Sequence, residues 1–154
     1  MLIMFQDMKK YFAIFAVALL ALVGCDKPNN GGGTAQSTDL DGQWHIVEWA
    51  GEAPEFDVYV EFNKGKFSIY QQVYSLYYEK FDGSYNVADD IITGSYADGS
   101  NWACGYKFSV SGKQLTMYSQ EDTSVKSVYE RCEIPQAIID EATATRAMEA
   151  TPFL

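Results

Sequence analysis

Few side chains in this sequence could carry chemistry. His45 is the only histidine, so a Ser-His-Asp or Cys-His arrangement would have to be built around it alone. In the run Gly42-Gln43-Trp44-His45 it alternates with Trp44 and faces outward if Trp44 faces a core. No other feature of a nucleophilic site accompanies it. Asp89-Asp90 and Asp98-Gly99 supply oxygens that calcium could use. The same pairs favour turns through local hydrogen bonds and positive φ, and no loop of calcium-type ligand spacing surrounds them. Neither a metal cluster nor a phosphate-cradling loop can be assembled. A non-enzymatic protein without a cofactor is therefore expected.

The elements that would position these residues read as strands. Aromatics make up 15% of the chain, a bias toward side chains that fit a pleated, half-buried surface. From Leu40 onward apolar and polar residues alternate in short runs broken by turn-forming pairs, and a helical period is absent until the last twenty residues. Residues paired across a two-residue turn must share a face. With Lys64-Gly65 as the turn, Phe62 faces Phe67, Val60 faces Ile69 and Val58 faces Gln71. With Asp89-Asp90, Val87 meets Ile92 and Tyr85 meets Gly94; with Gly112-Lys113, Val110 meets Leu115 and Phe108 meets Met117. Further strands near 43–50, 74–81 and 125–132 bring the count to eight or nine, enough for a sheet to close on itself and remove its edges. Pro135 suits the first turn of a short helix to about Ala142, with the Pro152-Phe153-Leu154 tail packing back on the sheet.

Cys104 and Cys132 invite a disulfide in an exported protein. By register, however, Cys104 falls near Glu121 at one end of the 102–120 hairpin, and Cys132 near the Gly112-Lys113 turn at the other. A disulfide tolerates Cα separations up to ~7 Å, so two unpaired thiols are expected. The same registers gather Phe62, Phe67, Tyr85, Tyr96, Trp102, Tyr106 and Phe108 on the inner face, with Trp44 and Tyr129. Such a ring could line a pocket or simply pack as a core. As a pocket, Tyr85, Gly94, Tyr96, Trp102, Tyr106 and Phe108 are the candidate ligand-binding residues. Tyr85, Tyr96, Trp102 and Tyr106 would form its mouth, opposite Trp44, with Gly94 leaving room for a neighbour or a guest.

The first forty residues read as an address. Met8-Lys9-Lys10, with Met8 a candidate true start, precedes an uncharged apolar run from Tyr11 to Val23. That run is shorter than the ~20 residues a membrane span needs and suits a signal peptide over 1–24. Leu22-Val23-Gly24-Cys25 resembles the lipobox of bacterial lipoproteins. The resemblance implies lipid on the Cys25 thiol, cleavage before it and acylation of the new amino terminus, with chains such as palmitate. Residues 26–39, from Asp26-Lys27-Pro28 through Gly31-Gly32-Gly33 to Asp39, hold almost no apolar side chain and read with Cys25 as a flexible tether. The domain then spans 40–154. Beyond Cys25, nine Lys and Arg against twenty Asp and Glu leave a formal charge of −11. Phosphate backbones are bound through clustered Lys and Arg, so nucleic acid is not an expected partner. The expected location is the bacterial cell envelope, the outer membrane on its periplasmic side or the cell surface.

Gly42-Gln43-Trp44 at the opening of the first strand, with Arg131 in Val128-Tyr129-Glu130-Arg131 on the last, resembles the sparse signature of lipocalins. The resemblance implies that Trp44 closes one end of a barrel and Arg131 packs across it, with Gly42 completing the closure. The wider run from Gly83-Ser84-Tyr85 to Ala97-Asp98-Gly99, then Trp102 and Leu115-Thr116-Met117, is similar to lipocalin-like lipoproteins of Bacteroidota. The expectation is an all-β protein, a small antiparallel meander closing into a lipocalin-like, calycin-type barrel of about eight strands with a short C-terminal helix. Its implied function is binding of a small apolar or aromatic molecule. The alternative is an interaction or assembly protein with a filled barrel, META-type or similar.

Overall fold

The computed structural model describes residues 37–144 and 151–154. A single turn, α1 (Ser37–Leu40), leads into eight strands: β1 (Gly42–Trp49), β2 (Asp57–Asn63), β3 (Lys66–Gln72), β4 (Glu79–Ala88), β5 (Ile91–Tyr96), β6 (Tyr106–Ser111), β7 (Gln114–Ser119) and β8 (Lys126–Arg131). Each strand pairs antiparallel with its sequence neighbour, and β8 returns to β1, closing the barrel. The last element is α2 (Gln136–Ala144). Residues 1–36, including the signal segment and Cys25, lie outside the described residues. Ser37, Thr38 and Asp39, read as tether, belong to α1. No helix among the described residues is long and apolar enough to cross a membrane.

The three hairpins fold in the registers their sequences dictate: Phe62↔Phe67 and Val58↔Gln71 across β2–β3, Tyr85↔Gly94 across β4–β5, Phe108↔Met117 across β6–β7. The Lys64-Gly65 turn takes positive φ at both residues, 48° and 81°, which matches the twist of the flanking strands. No separate strand forms over 74–81. β4 begins at Glu79 and continues to Ala88, while Tyr74, Leu76 and Tyr77 stand exposed in the preceding loop. The count is therefore eight.

The core is the barrel interior. Trp44, Phe62, Phe67, Tyr85, Tyr96, Trp102, Tyr106, Phe108 and Tyr129 are all buried in one cluster with Ile46, Ile69, Ile92 and Leu115. Burial of a large side chain contributes ~1.5–3 kcal/mol, so this cluster is the main stabilising element. A smaller core lies outside the barrel, where Ile134 and Ala142 cover Tyr70, flanked by Tyr59, Tyr78, Ile138 and Ile139. There α2 covers the outer face of β3 and the start of β4.

Candidate functional site

One end of the barrel is sealed by residues of β1, β8 and α1. Trp44 is fully buried, and its indole Nε1 donates to the Leu40 carbonyl at 2.8 Å. Arg131, paired with Trp44 across β1–β8, lays its guanidinium 4.3 Å from the indole centroid. Its Nη1 and Nη2 donate to the carbonyls of Asp41 and Asp39 at 2.9 and 3.2 Å. Gly42 is what allows this. Its φ is 137°, and a Cβ there would stand 2.2 Å from Arg131 Nη1. Asp41 extends the seal by accepting from the Lys64 amide at 2.9 Å and the Tyr85 hydroxyl at 3.1 Å.

That last bond corrects one sequence expectation. Tyr85 lies at the end closed by Trp44, packed edge-on to Phe62 with ring centroids 5.1 Å apart, and not at the mouth. Gly94, opposite it, leaves no open space, because the ring of Trp102 lies against it and a Cβ would come within 2.2 Å of Trp102 Cε2. Trp102 comes from a loop. After Ile92 the β5–β6 ladder stops, having made only the pairs Ile91↔Lys107 and Ile92↔Tyr106. β5 then pairs back on Asn101, with the Trp102 amide donating to the Gly94 carbonyl. The side chain turns into the barrel against Phe67 (5.1 Å) and Tyr106 (6.0 Å). On the outer side of this seam lies a cleft of about 480 Å³, lined by Tyr85, Thr93, Gly94, Asn101, Trp102 and Cys104 among others.

Among the described residues, Trp102 Nε1 is buried without a hydrogen-bond partner, and the buried Tyr129 hydroxyl lies beside Ser127 without a close hydrogen bond. Tyr106 packs edge-on against Trp102, with ring centroids 6.0 Å apart. Burial raises the pKa of the Tyr106 and Tyr96 phenols and pushes that of Tyr129 up to about 12. These phenols are neutral hydrogen-bonding groups at physiological pH. Indole can only donate, so what this site could recognise is an apolar body bearing an acceptor.

The opposite end, the mouth, is occupied by the chain's own residues 151–154. Gln71, fully buried on the inner face of β3, donates from Nε2 to the Thr151 carbonyl at 2.9 Å and accepts from the Phe153 amide at 2.8 Å. The Tyr96 hydroxyl donates to the Leu154 carbonyl at 2.5 Å. The Phe153 ring packs on Trp49 and Phe56, with centroids 4.8 and 5.4 Å away, and Leu154 is buried in the core. The tail thus packs back as expected, but by insertion. Of the six predicted ligand-binding residues, Tyr96 stands at the mouth. Trp102, Tyr106 and Phe108 fill the interior, Gly94 backs Trp102, and Tyr85 belongs to the sealed end.

Gln71 was visible in the sequence as a polar residue opposite Val58 on an otherwise apolar face. Glu79, its neighbour across β3–β4, shares the inner face by alternation with Phe81 and Tyr85 and is 8% exposed; only the length of β4 reveals it. His45 faces outward as predicted. It stacks on Tyr59 at 4.3 Å and meets Asp57 Oδ1 at 2.5 Å, while Tyr78 donates to the other carboxylate oxygen. Cys104 and Cys132 are free thiols; Cys104 contacts the Ser119 hydroxyl at 3.3 Å, and burial raises the pKa of Cys132. Asp98 binds its own turn, accepting from the Ser100 amide and hydroxyl.

No family model matches the sequence, and no match to a curated protein was found. Among solved structures, the chain is similar to a lipocalin-like protein from Bacteroides uniformis ATCC 8492. The TM-score is 0.50 at 20% identity, over 61% of this chain and 99% of that one. It is also similar to an uncharacterized protein from Bacteroides eggerthii DSM 20697, with TM-score 0.48 at 19% identity over 60% and 99% of the two chains. The first likeness establishes the fold: a lipocalin-like, closed, eight-stranded antiparallel barrel with a short C-terminal helix.

Proposed function

We propose that this is an exported lipoprotein, tethered through lipid on Cys25 in the bacterial cell envelope, whose barrel binds a small apolar or aromatic molecule behind Trp102. The fold is a scaffold suited to small molecules. The observation that carries the reading is Trp102 itself. It fills the space over Gly94 from a loop rather than a strand, where the barrel wall has only two ladder pairs, and its buried Nε1 has no partner. A buried unsatisfied polar group costs ~1–3 kcal/mol, which a guest with a hydrogen-bond acceptor would recover. A loop-borne side chain can yield to such a guest without unmaking the sheet. Lipid on one cysteine, with more than one acyl chain, would hold the domain to a membrane without any spanning element.

A second reading, a filled barrel acting as an interaction or assembly protein, is favoured by a different observation. Tyr74, Leu76 and Tyr77 are exposed together beside a cleft of about 440 Å³ between the β1–β2 and β3–β4 loops. Mass spectrometry of material extracted from natively purified protein separates the two. A stoichiometric small apolar molecule supports the ligand reading, whereas its absence together with a co-purifying protein supports the second.

A further inference from the structure

The way the mouth holds residues 151–154 describes a binding site in its own right. One side-chain amide, Gln71, brackets a backbone carbonyl and the amide two residues further on, at 2.9 and 2.8 Å. This is the donor and acceptor pattern by which a strand reads an extended neighbour. Tyr96 takes the Leu154 oxygen, three residues beyond Thr151. All three contacts are to backbone atoms, so they impose an extended peptide but no particular sequence. Selectivity comes from the walls, where Trp49 and Phe56 receive the aromatic ring of Phe153 and the core receives Leu154. Gln71 is 0% exposed, and removal of its partners would leave a buried amide unpaired unless another peptide replaced them. Glu79 is buried beside Gln71 on the inner face.

We propose that the barrel mouth is a site for short, extended peptide segments carrying an aromatic and then an aliphatic residue, and that Thr151–Leu154 is its resident occupant. An incoming segment of this type must displace the resident one, so the chain's own tail sets a threshold for binding. This site is separate from the seam behind Trp102 and stands or falls independently of the ligand proposed there.

The test uses the full chain, a variant lacking residues 151–154, and a full-length variant carrying Phe153→Ser and Leu154→Ser, which weakens the resident segment while keeping the chain. The probe is acetyl-Thr-Pro-Phe-Leu-amide, titrated calorimetrically. The expected result is binding to either altered protein at least tenfold tighter than to the full chain, with a rise in Tm. Adding Gln71→Met to the weakened-tail variant should reduce peptide affinity at least tenfold. It should change binding of N-phenyl-1-naphthylamine, an apolar probe without an amide carbonyl, by less than twofold. The shortened variant could fail to fold, and the Phe153→Ser/Leu154→Ser protein then carries the same comparisons. The proposal is overturned if a folded variant binds no peptide, if it prefers laurate to the peptide, or if Gln71→Met leaves peptide binding unchanged.

Discussion

The guanidinium of Arg131 lies over the indole of Trp44, 4.3 Å from the ring centroid, while its two terminal nitrogens hold the carbonyls of Asp41 and Asp39. One side chain thereby fastens the last strand, the first strand and α1. A cation over an aromatic face contributes ~0.5–2 kcal/mol. Arg131→Ala should cost about that much, plus the loss of two backbone contacts worth ~1 kcal/mol each. Arg131→Lys should recover only part, since an ammonium cannot both stack flat and reach two carbonyls. Urea unfolding followed by intrinsic tryptophan fluorescence measures both.

Gly42 should tolerate no side chain. Gly42→Ala would put a Cβ 2.2 Å from Arg131 Nη1 at a φ of 137°, and a loss of ~1–3 kcal/mol is expected from the combined strain and displacement. In the Arg131→Ala background the same substitution should cost less, because only the backbone strain remains. Equal costs in the two backgrounds would show that the guanidinium does not sit where the structure places it.

Gly94 and Trp102 should behave as a coupled pair. Gly94→Ala alone drives a methyl into the indole and should destabilise by ~1–3 kcal/mol, and Gly94→Phe by more. Combined with Trp102→Ala, which vacates the same space, the Gly94 substitutions should become markedly cheaper. A double-mutant cycle with strict additivity would contradict the seating of Trp102.

Much of this architecture was legible in the sequence because tight turns fix register. The pairings around Lys64-Gly65, Asp89-Asp90 and Gly112-Lys113 follow from two-residue turns and matched apolar faces, and with them the inner ring from Phe62 to Tyr129. What lay beyond reach were relations that no tight turn sets. The β3–β4 connection is a loop, so the pairing of Phe67 with Gly83, and hence the end at which Tyr85 sits, depends on the stagger of the closed barrel. The same loop hid the true start of β4. The seating of Trp102 over Gly94 requires the break in the β5–β6 ladder, for which alternation carries no signal. Gln71 stood in the pattern as a polar residue among apolar ones, and its meaning emerged only with the tail bound to it.

The buried tyrosines predict alkaline sensitivity. Burial raises the phenol pKa values of Tyr96, Tyr106 and Tyr129 above their ordinary value, with Tyr129 at about 12. The unfolded chain releases these protons near pH 10, while the folded chain retains them, so it is the folded state that binds more protons above pH 10. Stability is therefore full below pH 10 and falls as pH rises, the Tyr129 contribution levelling off near 12. Tyr129→Phe removes a buried hydroxyl that has Ser127 beside it and no close hydrogen bond. It should change stability at pH 7 by no more than ~1 kcal/mol, and should flatten the decline above pH 10. Thermal unfolding between pH 7 and 12 checks both parts.

The anchoring proposal rests on Cys25 alone among the residues available for lipidation at the lipobox. Cys25→Ala should leave an uncleaved or soluble precursor in cells, read by membrane fractionation and intact mass. A protein that matures and stays membrane-bound without the cysteine would contradict the anchor.

The account's central claim is that the space held by Trp102 serves a guest. Titration of the purified protein with N-phenyl-1-naphthylamine tests it most directly, with intrinsic fluorescence and Tm followed together. The account predicts saturable binding at about one to one, quenching that disappears in Trp102→Phe, and a Tm that climbs with probe concentration by mass action. No binding at saturating probe and an unmoved Tm, in a protein that Gly94→Ala nevertheless destabilises, would contradict it and leave a barrel packed for its own sake.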